Sequence, residues 1–175
     1  MTISAINRQH TRKINLHLLR QIINALLAEL KIRDAELEIN LVAAVEMARL
    51  NETFLQHAGP TDVITFDYTN HGGQCFITTS KVRATTKRCR PLHGEIFICV
   101  EEAVRQGRKF QASWQTEIVR YVIHGVLHLL GYDDSRVGEH RKMKQEENRL
   151  LRQLSRRFSL AQLAHPAKLC PCKSH

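Results

Sequence analysis

The sequence predicts an α/β protein, of the α+β kind, in which a small sheet of four strands packs among about five helices. Two patterns predict this fold class. Apolar residues recur every three or four positions in several segments of helical length, and shorter segments between them are rich in β-branched and aromatic residues. The length agrees, because 175 residues, 43% of them hydrophobic, can bury one core without cross-links.

The elements follow in order along the chain. The first helix is predicted over residues 14–32, whose apolar stripe comprises Leu19, Ile22, Ile23, Leu26, Leu27 and Leu30. Strands are predicted at 37–43, 61–68 and 94–100, with a short fourth strand within 71–82. Further helices are predicted at 45–54, 101–111, 114–130 and 136–158. The helix at 114–130 has an extensive apolar surface, so we expect it at the centre of the fold.

The chain is predicted to form a single domain over residues 1–158, followed by a C-terminal tail, 159–175, of unknown role. No linker rich in glycine, proline or serine divides it. No apolar run approaches the ~20 residues of a membrane helix, and the first residues lack the pattern of a secretory signal. We therefore expect a cytoplasmic protein without a membrane partner.

The cysteines support the same location. Their number, five, is odd, so they cannot all pair with one another in disulfides. We expect reduced thiols in a reducing compartment. Cys170 and Cys172 form a C-x-C pair in the tail, a spacing that indicates no specific metal site.

The formal net charge of +9 and the isoelectric point of about 9.7 predict a polyanionic partner, for which RNA and DNA are the obvious candidates. The basic stretch 80–91 contains Arg83, Lys87 and Arg88 and has almost no apolar periodicity. It is either an ordinary solvated loop or a loop that binds a polyanion, and the sequence leaves both open.

Two histidines four residues apart are the main candidates for chemistry. His124 and His128 lie in the predicted central helix, where positions i and i+4 share one face, so both imidazoles can reach one ion. Gly131 is suited to end this helix in the left-handed conformation and to turn the chain back. The spacing is that of the zinc-binding helix of metalloproteases.

The returning chain supplies the candidates for a third ligand, which are Asp134 and His140, with Asp133 a weaker one. Three protein ligands and one open position are the arrangement of a catalytic zinc site, where bound water acquires a pKa of about 7.

Gly125 separates two reaction classes. Metallopeptidases carry a glutamate after the first histidine as the base for peptide hydrolysis, and here that position is glycine. A phosphodiester in RNA has a neighbouring 2′-hydroxyl and a better leaving group than an amide. Together with the positive charge, the missing glutamate favours RNA as the substrate.

These residues resemble the YbeY family, bacterial metal-dependent endoribonucleases that act in ribosomal RNA maturation and ribosome quality control. The family signature H-G-x-L-H-L-x-G-Y-D-H matches HGVLHLLGYDD, residues 124–134, at every fixed position except the last. LNETFLQHAGPTDVITF at 50–66 and LHGEIFIC at 92–99 are similar to two further family blocks and keep their order. The resemblance extends from about residue 14 to residue 155.

The resemblance implies that the small sheet is mixed and that each chain holds one Zn²⁺ through three histidines. His124 and His128 carry over as ligands that activate water, and the third ligand falls on Asp134, where the family usually has histidine. Aspartate is a competent zinc ligand. His140 restores a three-histidine site only if the chain folds back after Asp134, so we favour Asp134 and keep His140 as the alternative.

A second departure lies in the block at 50–66. The family's arginine, thought important for activity, falls on Leu55, and the acidic residue three positions later falls on Ala58. Another cation would then contact the substrate, for which Arg49, Arg120 and the basic residues of 80–91 are the candidates. Thr61 and Asp62 match the family and belong either to a turn before the strand or to the active site.

The resemblance predicts a zinc-dependent, single-strand-specific endoribonuclease that matures the 3′ end of the small-subunit ribosomal RNA. Its expected partners are ribosomal RNA and the small ribosomal subunit. Leu55 and Asp134 motivate an alternative, a metal-stabilised factor that binds the ribosome or RNA with weak or no catalysis.

Overall fold

The computed structural model describes residues 1–69, 76–77 and 91–164. Arg83, Lys87 and Arg88 of the predicted basic loop lie outside these residues, as do four of the five cysteines, Cys75, Cys89, Cys170 and Cys172. The fifth, Cys99, is a buried free thiol.

Five strands and five α-helices form within the described residues. The strands are β1 (Thr2–Asn7), β2 (Ala35–Val42), β3 (Val63–Asp67), β4 (Phe76–Ile77) and β5 (Leu92–Cys99). The helices are α1 (Leu16–Glu29), α2 (Ala44–Leu50), α3 (Val100–Lys109), α4 (Trp114–Leu129) and α5 (Val137–Arg157). A π-helical turn, Asn51–Leu55, extends α2, and a short 3₁₀ helix, Leu160–Leu163, follows α5.

The sheet is mixed, as predicted, with the strand order β1-β2-β5-β3-β4. β1, β2 and β5 are parallel, whereas β3 runs antiparallel to both β5 and β4. The predicted α/β fold class is confirmed, but the sheet has one strand more than the four expected. The additional strand, β1, lies at an edge and buries only Ala5, which pairs with Ile39, so its sequence lacks a strong apolar pattern.

The helices cover the sheet and form one main core with it. Five of the six residues predicted for the α1 stripe are buried, whereas Leu30 caps the helix and is only partly buried. Helix α4 buries ten of its 16 residues. Two glycines allow α4 to approach β5 closely. A Cβ at Gly125 would lie 2.8 Å from two side-chain atoms of Ile96, and a Cβ at Gly94 would lie 2.7 Å from Leu129. None of the helices in the described part of the chain is long and apolar enough to cross a membrane.

The packed domain continues past residue 158, its predicted end. Leu163 in the 3₁₀ helix is completely buried, and its carbonyl oxygen accepts a hydrogen bond of 2.9 Å from the Asn15 amide. Ala164 then forms an antiparallel bridge with Ile14. The domain therefore extends at least to residue 164, because these residues cover the N-terminal end of α1.

Candidate metal centre

A polar stripe interrupts the apolar surface of α4. Glu117, Arg120, His124 and His128 recur every three or four positions and therefore share one side of the helix. Three of these residues, Glu117, Arg120 and His124, line a cleft of about 230 Å³ formed with α3, α5 and the residue before β3. The cleft collects most of the charged residues of an otherwise apolar helix.

The end of α4 shapes one wall of this cleft. Gly131 has φ of +83°, the left-handed conformation predicted for it. Its amide donates to the His128 carbonyl at 2.8 Å, and the Tyr132 amide donates to the Leu127 carbonyl at 3.0 Å. This pair of bonds is the Schellman motif. The motif turns the chain back so that the residues after Tyr132 return to the histidines.

Asp134 joins the two histidines at this turn. The Nε2 atoms of His124 and His128 are 3.0 Å apart, and Asp134 Oδ2 is 3.8 Å from His128 Nε2. One potential ligand atom from each of the three residues lies within 4.8 Å of the other two. His140 lines the same cleft from the first turn of α5, but it is not a member of this group.

The outer nitrogens of both histidines face hydrogen-bond acceptors. His124 Nδ1 lies 3.3 Å from Glu147 Oε2, and His128 Nδ1 lies 3.1 Å from the Tyr132 carbonyl oxygen. A carboxylate and a carbonyl only accept hydrogen bonds, so a ring that binds a metal through Nε2 can donate its Nδ1 proton to the acceptor behind it. In that tautomer both Nε2 atoms are free to bind an ion beside the Asp134 carboxylate. Three electron-rich atoms converge, an arrangement that a cation stabilises.

The distances and protonation states fit a divalent metal. Two nitrogens on one tetrahedral zinc, each about 2.0–2.1 Å from the ion, lie about 3.3 Å apart, so the 3.0 Å separation needs only a small ring movement. Burial, together with the nearby His124, lowers the pKa of His128, which favours the neutral ring that binds metals. Acceptors at the outer nitrogens are usual at metal-binding histidines, whose orientation they hold.

Glu147 is the residue of this centre that the sequence analysis missed. Its side chain is 4% exposed and contacts His124, Arg120 at 2.8 Å and Lys144 at 2.8 Å. Burial alone would raise the pKa of Glu147, but the hydrogen bonds from His124, Lys144 and Arg120 outweigh it and lower the pKa to about 2. A signal was present in the sequence, because Glu147 occupies the apolar stripe of α5, four residues after the buried Met143.

The predicted substrate-binding cations have different positions. Arg120 lines the cleft, but its guanidinium also contacts Glu117 and Asn148, so its charge is largely compensated. Arg49 lies exposed in the last turn of α2 and does not line the cleft.

Leu55 and Ala58, the two positions of the block at 50–66 that differ from the family, do not line the cleft. Leu55 packs against the smaller apolar cluster that includes Met47 and Phe66, and Ala58 is exposed. Asp62 forms the turn before β3 and also faces the cleft. It lines the cleft, and its Oδ1 accepts hydrogen bonds from the Thr61 hydroxyl and the Val63 amide at the start of β3.

The position of Gly125 explains the missing glutamate. A side chain there would enter the space filled by Ile96 of β5. The residue after the first histidine thus mediates the packing of α4 on the sheet and cannot carry a carboxylate base.

Comparisons with known proteins agree with this geometry. The sequence model of the family described as endoribonuclease YbeY matches residues 4–155. The endoribonuclease YbeY of Syntrophotalea carbinolica is 30% identical over 160 residues, which cover 87% of this chain and 95% of that protein. The Thermobifida fusca relative is 36% identical over 118 residues (67% of this chain, 70% of that protein), and the Chlorobium luteolum relative is 34% identical over 108 residues (62% and 66%).

A solution structure of a Thermotoga maritima protein superposes with a TM-score of 0.59 at 23% identity and covers 95% of this chain and 99% of that protein. This structural likeness supports the fold alone. The family match, in contrast, covers the strands, the histidine helix and most of α5. The chain therefore belongs to the YbeY family.

Proposed function

We propose that this chain is a zinc-dependent endoribonuclease, a hydrolase that cleaves phosphodiester bonds of single-stranded RNA. The observation that carries the proposal is the convergence of His124, His128 and Asp134 at the wall of a cleft, with an acceptor behind each histidine. The name of the matched family and the net charge of +9 support RNA as the substrate.

In this proposal, His124, His128 and Asp134 hold one Zn²⁺. When bound, the ion supplies Lewis acidity toward the phosphodiester and toward water. Glu147 and the Tyr132 carbonyl keep the two imidazoles oriented, which reduces the cost of assembling the site. Lys144 is half exposed beside the cleft and keeps part of its charge available to a phosphate, although it also bonds to Glu147.

The cellular role proposed here is maturation of the 3′ end of the small-subunit ribosomal RNA and ribosome quality control in the cytoplasm. Its partners would be ribosomal RNA and the small ribosomal subunit. The relatives named endoribonuclease YbeY support the cleavage of RNA on which this role depends. The geometry of the cleft contributes only the metal chemistry and the charge.

The test begins with protein stripped of metal and reloaded with one equivalent of zinc. We expect it to cleave single-stranded RNA faster than duplex RNA of the same sequence, and we expect His128→Ala to abolish cleavage. His17→Ala is the matched control, since His17 is exposed on α1, outside the cleft. In cells, the His128 variant should accumulate small-subunit RNA with unprocessed 3′ ends. Absence of cleavage by the zinc-loaded protein, together with mature RNA ends in the variant, would refute the proposal.

A second candidate function is a metal-stabilised RNA-binding factor with weak or no catalysis. Leu55 favours it, because its side chain packs against the core where the family has an arginine. This function predicts that the zinc-loaded wild type binds RNA without cleaving it and that His124→Ala leaves the RNA affinity unchanged. Robust zinc-dependent cleavage would exclude it.

A further inference from the structure

Helix α5 separates its cations onto two sides. One side, which we call the cationic face, is formed by residues spaced three or four apart along the exposed surface of the helix. It contains four cations, three neutral polar residues and no carboxylate, and comprises Arg141, Lys144, Gln145, Asn148, Arg152, Ser155 and Arg156. The acidic residues of α5 all lie outside this face.

Of the three α5 cations away from this face, two are paired with carboxylates, and the third, Arg157, lies over the Phe158 ring at 5.5 Å. Lys142 bonds to Glu139 at 2.8 Å, and Arg149 bonds to Glu146 at 2.7 Å. On the cationic face, by contrast, Arg141, Arg152 and Arg156 form no ion pair with any carboxylate of the described residues. The helix therefore pairs two of its other three cations with carboxylates, whereas Arg141, Arg152 and Arg156 share one face without any carboxylate partner among the described residues.

The cationic face begins at the proposed metal centre. Lys144 lines the cleft and bonds to Glu147. One turn further, the Asn148 side-chain oxygen accepts a hydrogen bond of 3.1 Å from Arg120, which also lines the cleft. From Arg141 to Arg156 the face extends for about 22 Å at 1.5 Å per residue. A chain leaving the cleft along α5 would therefore meet successive cations.

This arrangement does not stabilise the free protein. Arg152 and Arg156 are four residues apart, and like charges at this spacing destabilise a helix. A row of phosphates would convert the repulsion into attraction and release counterions. The neutral members of the face can also donate hydrogen bonds to phosphate or sugar oxygens.

We propose that the cationic face of α5 binds the backbone of single-stranded RNA as it leaves the metal cleft. The proposal rests on the proposed function for the identity of the polyanion, but it concerns binding and not cleavage. It assigns Arg141, Arg152 and Arg156 to phosphate contacts outside the site of chemistry. These residues hold the RNA through charge, without reading its sequence.

The test compares two triple variants of equal net charge in the His128→Ala background. The first is Arg141→Gln/Arg152→Gln/Arg156→Gln. The matched control is Lys13→Gln/Arg33→Gln/Arg108→Gln, which removes three exposed cations located on other elements. Binding of a single-stranded RNA of about 12 nucleotides, a length typical of single-strand sites, is measured by fluorescence anisotropy from about 0.1 to 1 M salt.

Each phosphate contact on a single strand contributes about 0.7 to the slope of log K against log salt concentration. The arginine variant should therefore lose about 2 from this slope, and it should bind about 100-fold more weakly at 0.1 M salt but almost equally at 1 M. The control should keep the wild-type slope within about 0.7. Circular dichroism verifies that α5 remains helical in both variants.

Equal losses in the two triple variants would overturn the proposal, because the net charge alone would then account for binding. The same holds if vesicles rich in anionic lipid bind the protein and only that binding weakens in the arginine variant. The RNA affinity is measured without cleavage in every arm. An inactive zinc-loaded wild type with the expected salt slopes would therefore refute the proposed function and leave the cationic face supported.

Discussion

Glu147→Gln is the perturbation that tests the centre most directly. The wild-type carboxylate is buried and receives hydrogen bonds from Arg120, Lys144 and His124. Glutamine keeps the volume but removes the negative charge, so Lys144 loses its carboxylate partner and Arg120 keeps only Glu117. We expect the variant to fold with a clearly lower free energy of unfolding at pH 7.

The magnitude follows from the pKa of Glu147, which folding lowers from 4.5 to about 2. At about 1.36 kcal/mol per pKa unit, the charged form contributes about 3 kcal/mol. Removing one partner of a buried ion pair destabilises a protein by about 3–5 kcal/mol, which agrees with this value. Because the folded pKa is the lower one, this stability is complete above pH 4.5 and declines as the pH falls toward 2.

The assay is urea unfolding of metal-free protein in the presence of a chelator, at several pH values between 7 and 3. The difference between wild type and variant should decrease from about 3 kcal/mol at pH 7 to about 1 kcal/mol near pH 3. Glu146→Gln is the control, since this carboxylate is 23% exposed and bonds to a surface arginine, and it should cost less than about 1 kcal/mol. A Glu147→Gln effect that is independent of pH would refute the reasoning.

The remaining predictions concern the candidate third ligands, Asp134 and His140, and two glycines, Gly125 within α4 and Gly131 in the turn after it. Asp134→Ala should weaken zinc binding by more than the 10- to 100-fold that is typical when a residue outside the ligand set is changed, whereas His140→Ala should change the zinc affinity little. Competition with a chromophoric chelator measures both affinities. A larger loss for His140→Ala than for Asp134→Ala would assign His140 as the ligand. Gly125→Ala should destabilise the protein by about 1–3 kcal/mol through overpacking against Ile96, and Ile96→Ala in the same chain should recover part of this loss in a double-mutant cycle of urea unfolding. Gly131→Ala should lower the free energy of unfolding by about 1–2 kcal/mol, because residue 131 has φ of +83°. It should also weaken zinc binding, because the positions of Tyr132 and Asp134 depend on that turn. Full zinc affinity in this variant would contradict the proposed role of the Schellman motif.

Periodicity was sufficient to predict the elements whose burial is strong and local. The apolar stripe of α1 and the β-branched run of β5 are buried as expected. β1 was not predicted, because an edge strand that buries only Ala5 has little apolar pattern of its own. The 3₁₀ helix at Leu160–Leu163 was assigned to the tail for a related reason. A single helical turn carries too few residues to show a period, and its two buried leucines are recognised only through their contacts with the rest of the core.

The sequence by itself determined the positions of the two histidine ligands and of the turn that follows them. The four-residue spacing of His124 and His128 and the glycine at 131 are local properties of one helix and its end, so backbone geometry translates them directly into positions. Only the tertiary structure decided which residues surround these histidines. Glu147 is on another helix and reaches His124 across the cleft, and the close packing of α4 on β5 explains why position 125 is glycine. These contacts depend on how helices and sheet pack, which no local pattern encodes.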